Sequence, residues 1–81
     1  MYVDPIRDLV LQHARLSCEP AKVTGDANLY ELGLTSLTTV NLMLALEEHF
    51  DVEFPQHMLS RKTFESIRSL AESIAELRPG D

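Results

Sequence analysis

The side chains of this 81-residue chain that could act as nucleophiles or metal ligands are few and scattered. A single cysteine, Cys18, cannot form an internal disulfide, and no neighbouring base can be assigned to activate it. The three histidines, His13, His49 and His57, lack the spacing of a zinc site, so we interpret them as surface residues. The sequence therefore predicts neither catalytic residues nor a metal site.

One hydroxyl group lies in a more informative place. Ser36 follows Gly33 and Thr35 within an uncharged run of 15 residues, 32–46. We expect it at the N-terminus of a helix, reachable by a modifying enzyme, where backbone N–H groups and the helix dipole favour an attached anion. The alternative is that this hydroxyl only caps the helix, as most Thr-Ser pairs before an apolar run do.

The chain before Ser36 is predicted to form one helix and a long ordered loop. Asp4 is a suitable N-cap, Pro5 suits the first helical position, and the apolar spacing predicts a helix from Pro5 to Leu16. Periodicity is lost from Ser17 to Gly33, and loops of that length are often functional. The loop is expected to be anchored in the core by its leucines, Leu29, Leu32 and Leu34.

The second helix is predicted to start at Thr35–Leu37 and to end before Asp51, and it has two apolar stripes. The inward stripe is formed by Leu42, Leu46 and Phe50, with Met43 beside it. The other stripe is formed by Leu37, Val40 and Leu44. This second stripe could belong to the core, but a separate inward stripe favours contact with a partner.

A short helical turn is predicted at 57–61, and a last helix from about Thr63. The inward residues of that helix follow spacings of three and four, namely Phe64, Ile67, Leu70, Ala71, Ile74 and Leu77. No segment has the pattern of a strand. The sequence predicts one all-α domain over 1–81, a bundle of three main helices and one short helix, with a frayed tail at 78–81.

Composition excludes several classes of function. There are 7 basic and 13 acidic residues, a net charge of −6, which disfavours binding to nucleic acid or to anionic membranes. The longest uncharged run is too short to span a bilayer, and the N-terminus lacks the basic and apolar run of a secretory signal. We therefore expect a cytoplasmic monomer.

Two segments identify a family resemblance. Residues 26–37 (DANLYELGLTSL) and 46–55 (LEEHFDVEFP) resemble the attachment site of the acyl and peptidyl carrier proteins. The resemblance extends over nearly the whole chain, from Ile6 to Leu77. It implies an acyl-carrier-like four-helix bundle without catalysis of its own. It also implies that a phosphopantetheinyl transferase with Mg²⁺ moves a 4'-phosphopantetheine arm from coenzyme A onto Ser36, and that the thiol of the arm carries cargo as a thioester.

The chain departs from the family pattern in the charges around the serine. Most members have Asp where this chain has Thr35, and fatty-acid carriers place acids along the early second helix, where this chain is uncharged. Arg61 and Lys62 add positive charge where fatty-acid carriers tend to be acidic. The residues predicted to contact partners are therefore mostly uncharged, namely Thr35, Leu37, Val40, Asn41, Leu44, Arg61 and Lys62.

The resemblance leaves the cargo open between an acyl carrier of fatty acid or polyketide synthesis, a peptidyl carrier and a stand-alone aminoacyl carrier. The uncharged start of the second helix disfavours the first. A chain that begins at Met1 and ends at Asp81 suits a free-standing protein. Residues 42–55 and 61–67 resemble those of small bacterial carriers that pair with ligases similar to truncated seryl-tRNA synthetases. This resemblance implies an aminoacyl carrier loaded by an ATP-dependent amino acid:carrier protein ligase, and we favour that reading. A helical adaptor that makes no use of Ser36 is the alternative from another class.

Overall fold

The protein folds as three α-helices joined by loops that contain short 3-10 turns. The computed structural model describes residues 2–14, 16 and 19–78. Within these residues no strand forms, and the elements in chain order are α1 (Val3–His13), a 3-10 turn (Pro20–Lys22), α2 (Ser36–Phe50), a second 3-10 turn (Gln56–Met58) and α3 (Ile67–Leu77). The predicted all-α bundle is confirmed. The short turn begins one residue before the predicted 57–61 and ends earlier.

A single apolar core lies between the helices and the long loop, with α1 packed against both α2 and α3. Every helix and both connecting segments contribute to it, through Ile6, Val10, Ala14, Val23, Leu29, Leu34, Leu42, Leu46, Phe50, Phe54, Met58, Phe64, Ile67, Leu70 and Ile74. The inward stripe predicted for α2 is confirmed. None of the described helices is both long and apolar enough to cross a bilayer.

The start of α1 differs from the prediction. The helix begins at Val3, not at Pro5, and Tyr2 takes the N-cap position in place of Asp4. The Tyr2 ring packs edge-on against Phe50, with 5.5 Å between centroids, which draws the N-terminus onto the bundle. Pro5 is tolerated in the first turn because the N–H it lacks would have no helical partner there. The helix ends at His13, before the predicted Leu16.

The long loop after α1 is held by hydrogen bonds as well as by its leucines. The Arg7 side chain in α1 donates from Nε to the Val23 carbonyl at 3.0 Å and from its terminal nitrogen to the Pro20 carbonyl at 2.9 Å. The predicted anchors Leu29 and Leu34 are buried, and the third leucine is half-buried. Cys18 lies outside the described residues, so its interpretation stays a prediction.

The last helix begins at Ile67, later than the predicted Thr63. Ser66 is the N-cap, and its hydroxyl accepts a hydrogen bond from the Ser69 amide at 3.1 Å. The carbonyl of Glu65 accepts a hydrogen bond from the Leu29 amide at 2.7 Å. This residue therefore binds the long loop and is not part of the helix. The start of α3 is thus set by a contact with a distant segment.

The last residue that the structure describes, Arg78, is hydrogen-bonded to α2. Arg78, predicted to belong to the frayed tail, follows α3 directly and donates from its guanidinium to the Phe50 carbonyl at the end of α2. This bond satisfies a carbonyl in the last turn of that helix, which has no partner within the helix. Residues 79–81 lie outside the described part of the chain.

Candidate functional site

Ser36 is the first residue of α2, and the turn before it is built to end there. The Asn28 side-chain oxygen accepts from the amides of Tyr30 and Glu31, and the Leu34 amide returns to the Leu29 carbonyl at 2.9 Å. Gly33 has φ 118°, a conformation that L side chains rarely adopt, which explains a glycine at this place. The turn therefore fixes the position at which the helix begins.

A reciprocal capping box starts α2. The Thr35 hydroxyl accepts from the Thr38 amide at 3.2 Å, and the Thr38 hydroxyl accepts from the Thr35 amide at 2.9 Å. The Thr35 carbonyl also accepts the Thr39 hydroxyl at 2.6 Å. Capping thus belongs to Thr35 and Thr38 and not to Ser36. Thr35 remains exposed, so its predicted contact with a partner stays a prediction alongside its structural role.

Ser36 is exposed, and among the described residues none forms a hydrogen bond with its hydroxyl. That hydroxyl is accessible to an enzyme, and an anion attached to it would lie at the N-terminus of a 15-residue helix, where backbone N–H groups and the dipole stabilise negative charge. These are the features that an attached phosphodiester requires.

A cleft of about 450 Å³ opens beside Ser36, between α2 and the segment that follows the second 3-10 turn. Its walls are mostly apolar and include no acidic side chain, and they are formed by Tyr30, Ser36, Thr39, Val40, Met43, Leu59, Ser60, Arg61 and Phe64. Arg61 lies over the Tyr30 ring, 4.0 Å from its centroid. The site therefore combines a free hydroxyl, an apolar cleft and one cation.

The second stripe of α2 is exposed to solvent. Leu37 is 72% exposed, Val40 49% and Leu44 54%. Exposed apolar residues grouped on one helix are typical of an interaction surface. The expectation that this stripe lies outside the core is confirmed, while its role in partner binding stays a prediction.

The other predicted contact residues fall in different places. Arg61 lies with Ser36, whereas Lys62, its neighbour in sequence, lines a separate polar groove against α3. Asn41 and Leu44 line a third groove, between α1 and α2, which also contains His13 and His49. Among the described residues, no group of three or more His, Cys, Asp or Glu side chains could hold a metal ion.

Sequence reasoning did not assign six of the nine residues that line the cleft, among them Tyr30 and Leu59, and it missed one structural role. Tyr30 and Leu59 line the cleft, but their segments meet only in the folded chain. The carboxylate of Glu47, to which the sequence assigned no structural role, accepts a hydrogen bond from the Phe54 amide at 2.9 Å. It thereby fixes the turn that follows α2.

We expect Glu47→Ala to lower the free energy of unfolding by about 1–2 kcal/mol, because it leaves a half-buried amide without its charged acceptor. Glu48→Ala is the matched control, since Glu48 is exposed and adjacent, and its loss should change stability by no more than about 0.5 kcal/mol. Urea denaturation of both variants measures the difference. Equal midpoints would show that the bond to Phe54 does not stabilise the fold.

The family whose description is phosphopantetheine attachment site matches residues 5–74, and the chain therefore belongs to this family of carrier proteins. Its cofactor is covalently bound 4'-phosphopantetheine, as predicted. The exposed hydroxyl of Ser36 and the acid-free cleft beside it fit such a group. The carrier class and the carrier fold inferred from the sequence are both confirmed.

The similar proteins include both an aminoacyl carrier protein and an acyl carrier protein, so similarity alone does not assign the cargo. The chain is 36% identical over 75 residues to an aminoacyl carrier protein of Agrobacterium fabrum, covering 93% of this chain and 90% of the relative. It is 37% identical over 73 residues to an acyl carrier protein of Akkermansia muciniphila, covering 89% and 82%.

Among solved structures, the fold matches a chain in the crystal structure of an engineered Bradyrhizobium japonicum glycine:carrier protein ligase complexed with carrier protein from Agrobacterium tumefaciens and ATP. The match has a TM-score of 0.87 and 34% sequence identity, and it covers 94% of this chain and 99% of that one.

Proposed function

We propose that this protein carries a 4'-phosphopantetheine arm on Ser36 and presents an aminoacyl group, bound to the arm as a thioester, to partner enzymes. The observation that carries the proposal is the exposed Ser36 hydroxyl at the head of α2, beside an apolar stripe and an acid-free cleft. A phosphopantetheinyl transferase attaches the arm. The chain itself supplies no catalytic group, because the reactive sulfur belongs to the cofactor.

An ATP-dependent amino acid:carrier protein ligase is the partner that would load the arm. Two observations support it: the similarity to a chain solved with a glycine:carrier protein ligase, and the absence of charge from 32 to 46. Such a ligase forms an aminoacyl adenylate from the amino acid and ATP with release of pyrophosphate, and the arm's thiol displaces AMP to give the thioester. Glycine is the first amino acid to test. The similarity to an acyl carrier protein keeps acyl cargo as the second candidate.

The attachment site is tested by intact mass. Wild-type protein incubated with coenzyme A and a broad phosphopantetheinyl transferase should gain one phosphopantetheinyl group, and Ser36→Ala should gain none. Ser60→Ala is the matched control, because Ser60 is another exposed hydroxyl in the same cleft. Modification of Ser36→Ala at the wild-type level would place the arm elsewhere, and no modification of wild type would favour the adaptor.

The class of cargo is tested on the holo protein. We expect transfer of labelled glycine, or of another amino acid, from ATP and an amino acid:carrier protein ligase, with release of the label by hydroxylamine as a thioester requires. The parallel reaction supplies malonyl-coenzyme A and a malonyl transferase. Malonyl loading without aminoacyl loading would assign the protein to acyl chain synthesis.

A further inference from the structure

The cation in the Ser36 cleft lies over an aromatic ring. Arg61 and Tyr30 come from different loops, and the guanidinium carbon lies 4.0 Å from the centre of the ring. A guanidinium stacked at this distance is attracted by the π-electrons of the ring, and its N–H groups point outward in its own plane. Arg61 is exposed, so these donors remain accessible from the cleft.

The charge of Arg61 is not neutralised within the described part of the protein. Among the described residues it forms no ion pair, unlike Arg68, which pairs with Asp26. Among the residues that line the cleft, Arg61 is the one with a formal charge. In a chain of net charge −6, a lone cation beside the attachment serine points to an anionic ligand.

We propose that Arg61, held by the Tyr30 ring, binds the phosphodiester of the arm attached to Ser36. This inference rests on the proposed function, since it requires the arm to be at that serine. The phosphodiester would then be bound from two sides, by the N-terminus of α2 and by the guanidinium, whose paired N–H groups match phosphate oxygens. Lys62, the next cation in the sequence, is less suited because it lines a different groove.

The walls of the cleft suit the next part of the arm. Beyond the phosphate, the arm has a carbon bearing two methyl groups, and the cleft offers Val40, Met43 and Phe64 to this apolar section. Val40 and Leu59 are each 49% exposed, so a section of the arm laid against them would cover apolar surface that now faces solvent. Binding by Arg61 would thus direct the arm along the cleft and favour one direction of presentation of the thiol.

The experiment compares apo and holo protein by NMR in wild type, Arg61→Gln and Lys62→Gln, after intact mass has established that each holo sample is fully modified. In wild type, we expect attachment of the arm to shift the Arg61 Nε signal and the amides of Leu59 and Phe64, with a ³¹P signal broader than that of free coenzyme A. In Arg61→Gln these shifts should fall several-fold, leaving those next to Ser36. Lys62→Gln should behave as wild type.

Two results would overturn the proposal. One is a wild-type pattern confined to the neighbours of Ser36, which would mean that the arm is free in solvent. The other is an equal loss of shifts in both variants, which would indicate a diffuse effect of net charge. Both variants change exposed side chains, so unchanged spectra of the apo forms verify the fold. Failure of wild type to gain the arm would instead contradict the proposed function, and the mass measurement shows which of the two has failed.

Discussion

Leu46→Ala is expected to lower the free energy of unfolding by about 2–5 kcal/mol, whereas Leu44→Ala, two residues earlier on the same helix, should leave it nearly unchanged. The two substitutions remove the same atoms from the same type of residue. Leu46 is fully buried and Leu44 is 54% exposed, so only the first leaves a cavity. Phe50 is also buried, so Phe50→Ala should lower the free energy of unfolding by roughly 3–5 kcal/mol.

Chemical denaturation measures this difference directly. Small domains have a total stability of only about 5–15 kcal/mol, so Leu46→Ala should be partly unfolded at low denaturant while Leu44→Ala keeps the wild-type midpoint. The same Leu44→Ala protein, modified with the arm, should be loaded more slowly by its ligase. Large and equal losses of stability would place Leu44 in the core and remove the exposed stripe as an interaction surface.

The elements with strong periodicity were predictable from sequence because their pattern is a direct consequence of burial. The spacing of Leu42, Leu46 and Phe50 allows only one inward face, and the structure buries all three. The second stripe of α2 could be separated from the core for the same reason. The place of Ser36 followed from Gly33 and Thr35 in an uncharged run at the start of a helix. In the structure Gly33 has a positive φ and Thr35 is the N-cap of α2.

Features that depend on contacts between distant segments could not be obtained in this way. The start of α1 depends on the Tyr2 ring against Phe50, and the start of α3 depends on the bond between the Leu29 amide and the Glu65 carbonyl. Local propensity contains no information on either.

The Ser36 cleft also depends on contacts between distant segments of the chain. Arg61 and its sequence neighbour Lys62 look equivalent in the sequence, yet the turn between Leu59 and Phe64 directs them to separate grooves. Only the folded chain places Tyr30 beneath Arg61, and this contact distinguishes the two cations.

Val40→Asp is expected to reduce the rate of loading by the ligase tenfold or more, which corresponds to about 1.4 kcal/mol or more of transition-state stabilisation. Val40 is 49% exposed in the middle of the apolar stripe, so the substitution should leave the fold intact while placing a charge where a partner buries apolar surface. Val40→Thr, of similar shape but uncharged, is the matched control and should lose much less. Both variants are compared as holo protein of verified mass, so that an effect on attachment of the arm is not counted.

Salt provides the complementary measurement. Charges on exposed side chains contribute little each and are screened beyond about 8–10 Å at ordinary ionic strength, whereas apolar contact contributes about 25 cal/mol per Å² buried and persists in salt. Because 32–46 contains no charge, loading of wild type should fall only modestly as salt rises. Arg61→Glu should weaken loading more than Lys62→Glu, since only Arg61 lies beside Ser36. A steep salt dependence with no response to Val40→Asp would mean that the partner recognises the acids at Glu48 and Glu53, and acyl chain synthesis would become the favoured pathway.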